Sequence, residues 1–248
     1  MRKSDKDFLS REFIPKEQKP NSSFEPAPAW RIWQTLAVLP LAIFVASLVW
    51  LVNNEGVSQV GVSLIGILLQ DSCLLLVPLL IVCLYYKQAP ETLGFRKISI
   101  TRILRVGIPA GIACYLLNVV FSVLINTIFP GKIEATQNNI QLLGLAENNF
   151  EIGMLVLFYC LLAPLAEEIY FRAFVYPPLK HKFGRVNALI LSAALFALVH
   201  GNIWIFLPLF AGGLGFAWLY DKFGNIWINI CAHMVWNITV ITLYFILY

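Results

Sequence analysis

The chain has 248 residues, of which 59% are hydrophobic and only 13% charged. An ordinary soluble domain carries about a quarter charged residues, so this composition excludes a water-soluble fold and points to a protein of the bilayer. The net charge of +4 comes without a basic face interleaved with aromatics, which gives no footprint for nucleic acid.

Residues 1–29 are polar, of mixed charge and without an apolar period, as expected of a disordered cytosolic tail. The remainder, 30–248, reads as one transmembrane domain. Seven apolar segments follow at about 31–52, 59–86, 103–129, 152–177, 186–201, 203–220 and 225–247, each near the roughly 20 residues a helix needs to cross a membrane. The fold class is therefore all-α, a polytopic transmembrane helical bundle of about seven spans. Only Gly201-Asn202 separates the fifth segment from the sixth, which suits an antiparallel pair or one broken helix. The five cysteines (Cys73, Cys83, Cys114, Cys160, Cys231) all fall in apolar segments without C-x-x-C spacing. They read as small buried hydrophobes rather than disulfide partners or metal ligands.

Lysines and arginines set the orientation. They gather in the tail and its flank up to Arg31, in the second loop and flank (Lys87, Arg96, Lys97, Arg102, Arg105), in the fourth (Lys180, Lys182, Arg185) and at Lys222. The alternate loops hold Lys132 alone. A multi-pass protein with its N-terminus in the cytosol and its C-terminus outside is expected.

The fourth segment ends in Pro164-Leu165-Ala166-Glu167-Glu168-Ile169-Tyr170-Phe171-Arg172, and ionised groups inside hydrocarbon are costly. Glu168 and Arg172 are four apart with the acid first, the favourable order for an intrahelical pair. Glu167, about 100° away around the helix, is left without a local counter-charge and is a candidate general base or metal ligand. Pro164 should kink the helix beside it. His200 ends the fifth segment, and His233 and Asn237 share one face of the seventh.

At 1.5 Å per residue, counted from the cytosolic ends, Glu167 lies about 15 Å deep, His200 about 20 Å, His233 about 12 Å and Asn237 about 18 Å. The four can meet in one polar cavity, which must hold water to tolerate them. Gly212, Gly213 and Gly215 give the sixth segment a smooth face for close approach. Asp71, with Gln70 and Ser72, and Asn118 are further polar points that either line the cavity or join helices.

Glu167-Glu168-x-x-x-Arg172, Phe196-x-x-x-His200 and His233-x-x-x-Asn237, in that order on successive apolar segments, resemble the three motifs of the CPBP family. These are the CAAX prenyl endopeptidases of the glutamate type and their bacterial relatives, also called the Abi family. The likeness covers roughly residues 90 to 247, and Leu93-Gly94-Phe95 and the stretch Leu219 to Trp227 look like further family elements. The resemblance implies an intramembrane endopeptidase acting on a peptide or a membrane-anchored protein. It implies that Glu167 with His200 activates water, that His233 with Asn237 supports the oxyanion, and that Glu168 and Arg172 hold the geometry. No cofactor is then required. Zinc held by Glu167, His200 and His233 is the alternative, although the spacing is not that of H-E-x-x-H. A non-enzymatic immunity factor, scaffold or transporter using the same polar cluster is the competing function. Transport is disfavoured by the lack of a repeat or of paired interrupted helices.

Overall fold

The computed structural model describes residues 27–51, 56–132 and 138–247. Apart from its last three residues, the tail expected at 1–29 lies outside them. The described chain is helical, in seven principal helices. They are α1 (Ile32–Ser47), α2 (Gln59–Leu79), α3 (Ile100–Ile128), α4 (Asn149–Phe183), α5 (Arg185–Leu198), α6 (Ile203–Phe223) and α7 (Ile226–Leu247). A 3₁₀ turn, Leu48–Leu51, extends α1, a π-wound turn, Leu80–Tyr85, extends α2, and a short helix, Asn138–Gly144, precedes α4.

Side-chain caps fix where several helices begin. Ser58, Ser99, Asn148 and Asn202 each accept a hydrogen bond from a backbone N–H in the first turn that follows. Each satisfies a donor that the helix itself leaves unpaired.

Six of the helices are long and apolar enough to cross a membrane. The seventh, α5, lies at the expected fifth segment and is a shorter apolar helix. With 14 residues, α5 is about 21 Å long against a hydrocarbon core of about 30 Å. It starts only after Gly184, at φ +79°, and gives way to a turn around Gly201, at φ +68°. It packs along α6 and the end of α4. The fourth span is longer than expected, 35 residues from Asn149 to Phe183. Its π-wound stretch, Glu168–Val175, ends where the Tyr176 N–H reaches back five residues to the Phe171 carbonyl. Pro177 and Pro178 then fall in the first turn of the continuing α segment, where a missing N–H costs least.

α4 is the axis of the bundle, with every residue from Glu168 to Tyr176 buried. α2, α5 and α7 pack against it. Trp30 Nε1 donates to the Phe174 carbonyl at 2.7 Å and the Tyr170 hydroxyl donates to the Thr35 carbonyl at 2.9 Å, so the start of α1 is pinned to the same helix.

The glycine face expected on α6 is present. A Cβ on Gly212 would lie 2.0 Å from the Trp236 ring, and one on Gly215 would lie 2.5 Å from Cys114 Sγ. A second stripe, not anticipated, lies on α3 against α7. There a Cβ on Gly107 would meet Cys231 Sγ at 2.7 Å, and one on Gly111 the Ala232 carbonyl oxygen at 2.3 Å. Backbone cannot retreat as a flexible side chain can. Gly111→Ala is therefore expected to cost about 1–3 kcal/mol or more by forcing α3 off α7, read as a lowered melting temperature in detergent.

The basic loops meet at one end of the bundle. Asp221, at the end of α6, binds Arg185 at 2.5 Å, Lys180 at 3.1 Å and the Tyr176 hydroxyl at 2.6 Å. At the same end the Leu93-Gly94-Phe95 turn docks on the α6–α7 connection. The Ile226 N–H donates to the Gly94 carbonyl at 2.9 Å, Asn225 Nδ2 donates to the Arg96 carbonyl at 3.0 Å, and Phe95 meets Trp227 edge to face. Two stretches 130 residues apart in the sequence are thus one structural element.

Candidate active site

Glu168 and Arg172 pair as their spacing predicts. Arg172 Nη1 lies 2.8 Å from Glu168 Oε1, with both side chains fully buried. The helix supplies this contact locally, and the other partners come from elsewhere. His233 Nδ1 reaches the same carboxylate oxygen at 2.9 Å, and Asn229 Nδ2 donates to Glu168 Oε2 at 3.1 Å and to the Phe216 carbonyl at 2.8 Å. The guanidinium carbon of Arg172 sits 4.5 Å from the Phe196 ring centroid and 5.3 Å from that of Phe216, within the range of cation–π attraction. Glu168 is therefore a carboxylate with three donors around it, which is how a buried charge is tolerated. With three of its roughly four lone-pair positions taken and its side chain fully buried, it is poorly placed to serve a reaction.

Glu167 differs from its neighbour in each respect. Its side chain is 20% exposed, and its nearest charged partner is His233 Nε2 at 3.7 Å, longer than a hydrogen bond. Because Glu168 accepts at His233 Nδ1, that nitrogen carries a proton, and the imidazole directs Nε2 at Glu167. The His233 ring is clamped by Phe216, stacked at 4.8 Å, and by Trp236 at 6.4 Å. Glu168 thus orients His233 as a ligand is oriented by the group behind it.

His200 is held separately. Its Nδ1 lies 2.8 Å from the Phe196 carbonyl, which can only accept, so Nδ1 is the N–H and Nε2 carries the lone pair in the neutral ring. Its ring stands edge-on to Phe196 at 5.1 Å, and the Phe196 ring is in turn 5.9 Å from His233. No hydrogen bond or ion pair joins His200 to Glu167 among the described residues. The two can share a water but do not touch.

Asn237 lies one turn beyond His233, and its Nδ2 donates to the Tyr159 carbonyl at 2.7 Å. Pro164 explains why that carbonyl is free. The turn Phe158–Leu162 is π-wound, with the Ala163 N–H bonded to the Phe158 carbonyl five residues back. The next bond in this pattern would run from residue 164 to Tyr159, and proline has no N–H to give. Asn237 fills the vacancy from another helix. This ties the third motif to the helix of the first and leaves the second N–H of the amide unused. The expected effect of Pro164 is therefore realised as a local change of winding, of a kind common at functional sites.

Among the described residues, no three His, Cys, Asp or Glu side chains converge well enough to hold a metal. Asn229 and the ring of Phe216 were not picked out from the sequence, and Phe196 was named in the second motif without a role. Asn229 had a signal, since it precedes His233 by four and Asn237 by eight on one helical face.

The three motifs thus lie on α4, at the end of α5 and on α7, around one buried charge network. Residues 149–239, which contain all of them, match the sequence profile of the Rce1-like family, type II CAAX prenyl endopeptidases. The match covers this segment, little more than a third of the chain. The chain also resembles a Bacillus subtilis (strain 168) protein, YdiL, whose name marks it as a candidate membrane peptidase. The two are 30% identical over 90 residues, which is 36% of this chain and 37% of that relative. The chain therefore matches little more than a third of the relative's length, and Leu93-Gly94-Phe95 lies outside the residues that match the family profile. No solved structure matches the chain.

Proposed function

We propose that this protein is an intramembrane endopeptidase that hydrolyses a peptide bond with water activated at Glu167. One observation carries the reading: of two adjacent acids, Glu168 is fully buried and held by Arg172, His233 and Asn229, whereas Glu167 is partly exposed and has His233 Nε2, at 3.7 Å, as its nearest basic group. A scaffold would be served by the first acid alone. The second has no structural use on that account.

In this reading a water sits between Glu167 and the lone pair of His200 Nε2. As its oxygen bonds to the substrate carbonyl carbon, its proton passes to the Glu167 carboxylate. The oxyanion is met by the unused N–H of Asn237 and, when His233 carries a proton on both ring nitrogens, by its Nε2–H as well. Glu167 then returns the proton to the departing amine nitrogen as the C–N bond breaks. The substrate class is a peptide or membrane-anchored protein presented from the lipid. We assign the end carrying Arg96, Lys180 and Arg185 to the cytosol, which puts the N-terminus inside and the C-terminus outside.

The test is cleavage of a peptide panel, prenylated and unprenylated, by the purified protein with and without a chelator. Activity is expected to survive chelation and to fall about 10²-fold or more in His200→Ala. Loss of activity on chelation, with recovery on adding zinc, would overturn the metal-free route. Full activity in His200→Ala would remove that residue from the site.

A further inference from the structure

We propose that Asp71 and the hydroxyl of Tyr159 anchor a water on the α2 side of Glu167, which makes Asp71 a positioning residue for the reaction. This rests on the hydrolase reading above and adds to it a third helix that none of the three motifs includes.

Asp71 sits in the middle of α2 and is 2% exposed, yet its Oδ2 has no hydrogen-bond partner. The Tyr159 hydroxyl, on α4, is also buried and without a partner. Unsatisfied buried polar atoms are rare in native folds, and two at one interface ask for a common explanation. α2 packs directly against the Ala163–Glu167 turn of α4. Asp71, Tyr159 and Glu167 also lie within electrostatic reach of one another. A carboxyl, a phenol and a second carboxyl supply the two to four polar partners that a buried water needs. The Tyr159 backbone is already tied to Asn237. The water would therefore link the α2 side of the site to both the acid and the amide implicated in the chemistry. A helix-joining role does not account for the pair, because neither atom bonds to the other helix.

The experiment compares wild type, Glu167→Gln, Asp71→Asn, Asp71→Leu and Tyr159→Phe as purified, folded proteins, measuring kcat, KM, melting temperature and radiolytic hydroxyl labelling of Tyr159. The asparagine can still hold a water and should keep most of the activity. In Asp71→Leu, kcat should fall about 10- to 100-fold through misplacement of the reacting groups, with KM little changed. The melting temperature should hold or rise, because an unsatisfied buried acceptor is exchanged for an apolar group of similar size. A merely structural aspartate predicts the reverse, a lower melting temperature with kcat per folded molecule unchanged. Tyr159 should be labelled in wild type despite its burial, and less so in Asp71→Leu. Wild-type kcat in folded Asp71→Leu, or an unlabelled Tyr159 in wild type, overturns the inference and leaves the hydrolase reading standing. Equal cleavage by wild type and Glu167→Gln overturns that reading, and Asp71's part in it falls too.

Discussion

Arg172→Ala is expected to leave little folded protein. Its guanidinium is fully buried, donates to Glu168 at 2.8 Å and to the Gly213 carbonyl at 3.4 Å, and lies against the rings of Phe196 and Phe216. Removing one partner of a buried ion pair costs about 3–5 kcal/mol, because the other charge stays behind unneutralised. That is a large share of a typical folding free energy of about 5–15 kcal/mol. Replacing both partners at once, as Arg172→Met with Glu168→Leu, removes the stranded charge and should recover much of the loss. The double variant should nevertheless be inactive, since His233 Nδ1 loses the acceptor that fixes its orientation. Thermal melts and size-exclusion profiles in one detergent read the stability, and cleavage per folded molecule reads the second effect.

Glu167→Gln should give the opposite pattern. Glu167 has one long contact to lose, 3.7 Å to His233, and its side chain is partly exposed, so the melting temperature should stay near that of wild type. Its kcat should fall about 10²–10⁴-fold, the range for loss of a positioned general base. Adjacent residues, changed in the same way, thus divide into one that costs activity and one, Glu168, that costs the fold.

This division was half legible in the sequence. The four-residue spacing of Glu168 and Arg172 predicted their pairing and left Glu167 over, because helix geometry alone settles which neighbours share a face. What else holds Glu168 could not be read, since Asn229 and His233 arrive from a helix 60 residues away and nothing local marks them as its partners. The depths estimated for Glu167 and His233 agreed closely enough for their side chains to meet. His200 meets the ring of Phe196, which in turn faces His233, and makes no hydrogen bond or ion pair with Glu167 among the described residues. The order of the helices followed from apolar run length, and Gly201-Asn202 marked the break after α5, which ends at Leu198. Hydropathy does not report winding, so of the π-wound turns on either side of Glu167 only the one beside Pro164 had a signal in the sequence. The Gly107-x-x-x-Gly111 stripe was visible as a small-residue repeat and went unread beside the glycines of α6.

The most direct measurement is incorporation of oxygen from isotopically labelled water into the new C-terminal carboxylate of a cleaved peptide, under single turnover. Wild type should place one labelled oxygen in each product, and folded Glu167→Gln should place almost none over the same interval. Label entering at the wild-type rate in Glu167→Gln would contradict the assignment of Glu167 as the acid that activates water.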